Sequence, residues 1–184
     1  AGGSPILLPL LWLAENKASE EDYVSVYSEI VKQLDGPLYV HWLGEMFHPG
    51  LAGYFPGESF DRILAFDPAK VRGAKLSLLD AEFERQLRAR ILERDQIVLT
   101  GDDFHFAELI AGEDQGVLRT TRIGELDVPV GRFSHALLGV FDAIAQHGIT
   151  FQFAQPVEAG QFVNGDWFVV GPAVLTGMTP PCAV

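Results

Sequence analysis

Along the first two-thirds of the chain, solid apolar runs alternate with stretches of helical spacing. The apolar runs are residues 5–13 (PILLPLLWL), 38–42 (LYVHW), 71–76 (VRGAKL) and 96–100 (QIVLT), with 116–121 as a further strand. Runs of this length without polar alternation predict strands buried on both faces. Between them lie helical periods. Ser19 and Asp22 form an S-x-x-D capping box that opens a helix whose apolar face is Tyr23, Tyr27, Ile30, Val31 and Leu34. Asp35-Gly36-Pro37 stops it. A short helix is predicted over 59–65. Asp80 is placed to cap another over 81–93, with Phe83, Leu87, Ile91 and Leu92 inward and Arg85, Arg88, Arg90 and Arg94 toward solvent. The GDDF stretch opens a helix over about 104–111, and Ser134 caps a last one to about 146, ended by Gly148. Strand alternating with helix predicts a parallel sheet.

The pattern changes at Gly148. Residues 149–176 contain no Lys or Arg and show no helical period. They read ITFQF, GQFV, a turn at Asn164-Gly165-Asp166, then WFVVG and AVLTG. Asn-Gly between apolar runs is a hairpin signal, so an antiparallel segment is expected. The division is therefore 1–148, α/β, and 149–184, a β-rich tail.

Composition adds limits. The chain has 184 residues, 48% hydrophobic and 21% charged, the balance of a folded protein. A complete eight-stranded α/β barrel typically needs roughly 250 residues. The net charge of -12 disfavours nucleic acid and anionic membrane surfaces as partners. Cys182 is the single cysteine, so an internal disulfide is impossible; a reducing, cytoplasmic setting fits. The apolar run at 5–14 is about half the roughly 20 residues that span a bilayer, and no positive charge precedes it. The start, AGGSP, lacks Met, as expected of a fragment or a processed chain.

Chemistry in α/β sheets gathers at the C-terminal ends of the strands. The readable ends are Trp12 to Asn16, His41 to His48, Lys75 to Asp80 and Thr100 to His105. Lys75 stands out, because a lysine within an apolar strand is desolvated, and desolvation favours the neutral, nucleophilic amine. The plainer reading is a lysine at a strand end with its ammonium in water. Asp102 and Asp103 follow a strand and precede a helix. One is expected to cap; the other is open as a carboxylate that orients a site. Ser77 and Asp80 either support the site or simply begin the next helix. His41, Glu45 and His48 spell H-x-x-x-E-x-x-H, but Gly44 and Pro49 argue against the continuous helix that would align them. As a loop motif with Asp102, and with Asp103 and His105 nearby, they form an alternative metal set; otherwise they are a polar rim. The loop GEMFHPGLAGYFPGE (44–58) is long enough to be functional. Its aromatics Phe47 and Tyr54, with Trp42, suit a pocket lining and loop packing equally.

The stretch VRGAKLSLLD (71–80), followed by VLTGDDF (98–104), resembles the dihydrodipicolinate synthase and N-acetylneuraminate lyase superfamily. That family carries a Schiff-base lysine on a G-[IV]-K strand, then a helix, then a strand ending in [ST]-G-D-D. More narrowly, HWLGEMFHPGLAGY, KLSLLDAE, TGDDF, ELIAGED and SHALLGVFDAIA resemble a bacterial branch labelled dihydrodipicolinate synthase family protein. The resemblance covers about residues 5–147. It implies a (β/α) barrel of the TIM type, here partial, and a lysine-dependent lyase or aldolase acting on a pyruvate-like 2-oxo acid. It assigns Lys75 as nucleophile and Thr100, Gly101, Asp102, Asp103 and Ser77 to substrate binding and support, with no cofactor. The family's Tyr, in a YN[VI]P context, is replaced here by His41 in VHWLG. His41 is thus either a proton shuttle or a core histidine. The family's Gly-Thr-Thr-Gly-Glu type segment is absent, and residues 115–133 run longer than the branch leads one to expect.

Three functions follow as expectations: a Schiff-base lyase or aldolase, a non-catalytic remnant or fusion fragment, and a metal-assisted barrel hydrolase or class II aldolase. An incomplete barrel leaves open sheet edges, so the chain is expected to pair as a homo-oligomer, cover an edge with its tail, or aggregate. As a monomer it is expected to have little or no aldolase activity.

Overall fold

The computed structural model describes residues 3–113, 116–135, 149–153 and 173–178. Four parallel strands form one sheet in the order β1 (Ile6–Leu7), β2 (Leu38–Leu43), β3 (Val71–Ser77) and β4 (Ile97–Thr100). The connecting helices are α1 (Leu11–Glu15), α2 (Glu20–Gln33), α3 (Ser59–Phe66) and α4 (Ala81–Ile91), and α5 (Phe106–Ala111) follows β4. The alternation of apolar run and helical period is thus realised as parallel pairing. Two further pairs are antiparallel: β5 (Val117–Ile123) with β6 (Leu126–Gly131), and β7 (Ile149–Phe153) with β8 (Ala173–Met178). Among the described residues no helix is long and apolar enough to cross a membrane.

Three expectations need correction. Residues 5–13 are not one strand: pairing stops at Leu7, and α1 occupies 11–15. Pro9 has no N–H to give to a ladder, so the run breaks there. Leu8 and Trp12 are accordingly exposed, Trp12 by 67%. The segment 116–121 is not a parallel strand but the first arm of the β5–β6 hairpin. Its two-residue loop, Gly124-Glu125, has Gly124 at φ 60°, the conformation that such a loop needs at its first position. Arg88 is not solvated; it is buried at 3% exposure. The last helix expected over 134–146, beyond His135, and the turn at Asn164-Gly165-Asp166 lie outside the described residues. The antiparallel tail is present in its two described strands, ITFQF and the AVLTG run.

The sheet packs on both faces, and strand alternation sorts the residues. Leu38, Val40, Val71, Ala74, Leu76 and Val98 face the helices, meeting Tyr23, Tyr27 and Val31 of α2, Phe60, Ile63 and Leu64 of α3, and Leu87 and Ile91 of α4. Tyr39, Ile97 and Leu99 face the other way and meet Ile123, Val128 and Val130 of the hairpin. The hairpin is also tied on by Arg72, which donates to Pro68 O at 2.7 Å, Asp95 O at 3.2 Å and Thr121 Oγ1 at 2.8 Å.

The loop over 44–58 is exposed over most of its length and anchored by Leu51, Tyr54 and Phe55, which are buried. Tyr54 and Phe55 join Tyr23, Tyr27, Trp42 and Phe60 in an aromatic cluster of edge-to-face and tilted ring pairs. The Tyr54 hydroxyl accepts from Leu10 N at 2.6 Å and contacts the Tyr27 hydroxyl at 3.1 Å, which fixes the loop to the start of α1 and to α2. Trp42 and Tyr54 therefore serve the core, while Phe47 is exposed.

The capping box is formed in both directions. Asp22 N donates to Ser19 Oγ, and Ser19 N donates to Asp22 Oδ2 at 2.8 Å. Ser19→Ala is expected to cost about 1 kcal/mol of stability, read as a lower urea midpoint with an unchanged slope. An unchanged midpoint would show that the helix start does not depend on this cap.

Candidate functional site

Parallel register brings the sequence candidates together. His41 of β2 pairs with Lys75 of β3, and Lys75 pairs with Leu99 of β4. Residues paired across a sheet project from the same face. His41 and Lys75 therefore lie on the face opposite the helices, and Ser77, two residues on, shares it. All three are buried, Lys75 to 5% exposure. The Lys75 amine donates to Ser77 Oγ, and His41 Nε2 lies 3.1 Å from the same oxygen. Lys75 Nζ also reaches Leu76 O at 3.4 Å.

Two glycines make room for this cluster. A Cβ on Gly101 would overlap both Lys75 Nζ and Ser77 Oγ. Gly44 N donates to Ser77 O at 3.0 Å, and a Cβ on Gly44 would press on that carbonyl. The Gly101 of the TGDDF stretch is thus a wall of the site, with no side chain to displace the amine. Leu79 then takes φ 56°, turning the chain from β3 toward Asp80, which accepts from Phe83 N at 2.9 Å and caps α4. A left-handed leucine costs roughly 1–2 kcal/mol, strain that sits two residues from Ser77.

Beneath the cluster lies a carboxylate that the sequence reading passed over. Glu84 is 2% exposed and accepts from Thr100 Oγ1 at 3.0 Å and Ser134 Oγ at 2.5 Å. Thr100 Oγ1 in turn accepts from Asp102 N at 3.1 Å. Ser134, expected as a helix cap, gives its hydroxyl proton to Glu84; the N–H groups it would cap lie outside the described residues. Arg88, one turn along α4, donates to Leu109 O at 2.9 Å and Glu113 at 3.3 Å. The signal for both was available: Glu84, Leu87, Arg88 and Ile91 stand at i, i+3, i+4 and i+7, one helical face.

The two TGDDF acids differ: Asp102 closes the turn ahead of α5, whose own N-cap, His105, makes no side-chain cap bond, and Asp103 does not cap the helix either. Asp102 Oδ1 accepts from Phe104 N and His105 N, both at 2.9 Å, and Oδ2 meets His105 Nδ1 at 2.9 Å. Asp103 is half-buried and acts on Lys75 through its charge. The alternative metal set is not assembled. His48 is exposed and its Nδ1 accepts from Gly50 N at 3.1 Å, and Glu45 is exposed as well. Among the described residues no three His, Cys, Asp or Glu side chains converge in a way that could hold a metal ion.

Burial sets the protonation states. It pushes the Lys75 amine from 10.5 down to about 8, with the Glu84 and Asp103 carboxylates pulling the other way. Burial, then the charge of Lys75, takes His41 from 6.5 to about 3, so its imidazole is neutral. Burial raises the Glu84 carboxyl, against the hydrogen bonds from Ser134 and Thr100.

A pH dependence of stability follows. Between about 8 and 10.5 the unfolded chain keeps the Lys75 proton that the folded chain has shed, so stability rises with pH across that window. His41 gives a rise of the same sign between about 3 and 6.5. Urea midpoints measured against pH should show the alkaline rise in the natural chain and lose it in Lys75→Met. A rise that persists in the variant would assign it to another group.

None of the curated proteins matches the chain. A family model described as "Protein of unknown function (DUF993)" matches residues 1–161, which include the parallel sheet, the hairpin and every residue of the His41–Lys75–Ser77 site. The protein belongs to the DUF993 family.

Proposed function

We propose that the protein is a Schiff-base-forming lyase or aldolase acting on a pyruvate-like 2-oxo acid, with Lys75 as nucleophile. The observation that carries this reading is the state of Lys75. Its amine is buried at the C-terminal end of a parallel strand, on the face away from the helices, and burial lowers it to about 8. An amine so placed is neutral often enough near physiological pH to attack a carbonyl carbon. Strand ends are where α/β barrels keep their catalytic groups, and the face away from the helices is the one that would line a barrel's interior. A partial barrel of the dihydrodipicolinate synthase type is the architecture we infer from this together with the VRGAK and TGDD motifs. Thr100, Gly101 and Asp102 hold the site together, and Asp103 lends charge to it. A 2-oxo acid suits the neutral amine: its carbonyl is electrophilic, and the imine it forms can accept electrons from an adjacent breaking carbon–carbon bond.

The test is reduction with borohydride in the presence of pyruvate, followed by peptide mass mapping. The expected result is one pyruvyl adduct on Lys75. A chain that gives no adduct with pyruvate across pH 7 to 9 (a window chosen around the value of about 8 for Lys75) would sink the proposal.

A further inference from the structure

We propose that the Ser77 hydroxyl is a catalytic proton carrier, moving the amine protons of Lys75 onto the substrate oxygen while His41 orients it. The inference rests on the Schiff-base reading of Lys75; it gives the proton transfer to Ser77 and leaves His41, a candidate shuttle on the resemblance, an orienting role.

The geometry is specific. Ser77 Oγ touches the Lys75 amine on one side and His41 Nε2 at 3.1 Å on the other. A hydroxyl has two acceptor lone pairs and one proton to give. We assign His41 the Nε2–H tautomer: with Lys75 donating to one lone pair and His41 Nε2–H to the other, the hydroxyl proton is left for a third partner. The only reacting group brought to this spot by attack on Lys75 is the oxygen of the former carbonyl. His41 suits this donor role because it is buried and uncharged, and its ring cannot take the Ser77 proton cheaply. The hydroxyl is held in place from both sides: Gly44 N fixes the Ser77 carbonyl, and Gly101 leaves space for the hydroxyl and the amine together.

The chemistry balances without another reactant. The neutral Lys75 amine adds to the C2 carbonyl; the C–N bond forms and the carbonyl π pair moves to oxygen. Nitrogen gives one proton to Ser77, and Ser77 gives its own to that oxygen, which yields the carbinolamine. The nitrogen lone pair then forms C=N as the C–O bond breaks. The second N–H proton passes through Ser77 in the same way and leaves with the oxygen as water. Both amine protons end on one water, and Ser77 is regenerated.

The experiment is rapid-quench borohydride trapping with pyruvate, run in water and in deuterium oxide. Ser77→Ala is expected to reach the natural end-point yield of Lys75 adduct roughly 10²-fold more slowly, the low end of general acid–base contributions. The natural chain should show a solvent deuterium effect on the rate that Ser77→Ala loses, and Ser77→Thr, which keeps the hydroxyl, should recover most of the rate. A purely structural role for Ser77 would lower the yield and leave the isotope effect in place, and that result overturns the proposal. So does a Ser77→Ala rate equal to the natural one. Absence of any adduct in the natural chain overturns the Schiff-base reading itself, and the relay with it.

Discussion

Lys75→Ala is expected to abolish the pyruvate–borohydride adduct, with the trapping rate falling by at least about a thousandfold. The chain has four lysines, Lys17, Lys32, Lys70 and Lys75. Lys17 and Lys32 are exposed, and Lys70 donates to Val31 O at 3.2 Å and Lys32 O at 3.3 Å. None of the three lies at a strand end beside the His41–Ser77 pair, so the single adduct is expected on Lys75. Lys75→Arg should behave like Lys75→Ala, since a guanidinium stays protonated and is no nucleophile. Far-ultraviolet circular dichroism would verify that both variants fold. An adduct that survives Lys75→Ala at full yield would remove Lys75 from the role.

The second large effect is structural. Gly73→Ala is expected to destabilise the fold by about 3 kcal/mol or more. Gly73 takes φ 145°, beyond reach of ordinary side chains, and sits where the β2–β3 register shifts between Leu38 and Val40. A Cβ there would overlap Ile97 O, a backbone atom of the neighbouring strand that has nowhere to retreat. The bulge matters to the site because it sets the register that pairs His41 with Lys75. Gly53→Ala is the control: φ is also positive, at 57°, but nothing lies within 4 Å, so about 1 kcal/mol is expected. Equal urea midpoints for Gly73→Ala and Gly53→Ala would refute the packing argument.

Local chemistry was legible in the chain itself. The capping box at Ser19 and Asp22, the Asp80 cap, the helices at 59–66 and 81–91 and the strands at 71–77 and 97–100 all follow from periodicity and caps, which depend on neighbours a few residues apart. Lys75 was conspicuous for the same reason, as a charge inside an apolar run. What misled was also local: PILLPLLWL looks buried by composition, yet Pro9 breaks its ladder and Trp12 faces solvent.

Only the tertiary structure decided which distant residues meet. Register puts His41 beside Lys75, and a β-bulge at Gly73 decides that register. The hairpin over 117–131 covers the face that holds Tyr39 and Leu99, which no periodicity within it announces. Glu84 escapes a reading by periodicity, and Arg88 is placed toward solvent by it, because their partners, Thr100, Ser134, Leu109 and Glu113, come from 16 to 50 positions away. A buried charge is tolerable only where such partners converge, and convergence is a property of packing, not of spacing along the chain.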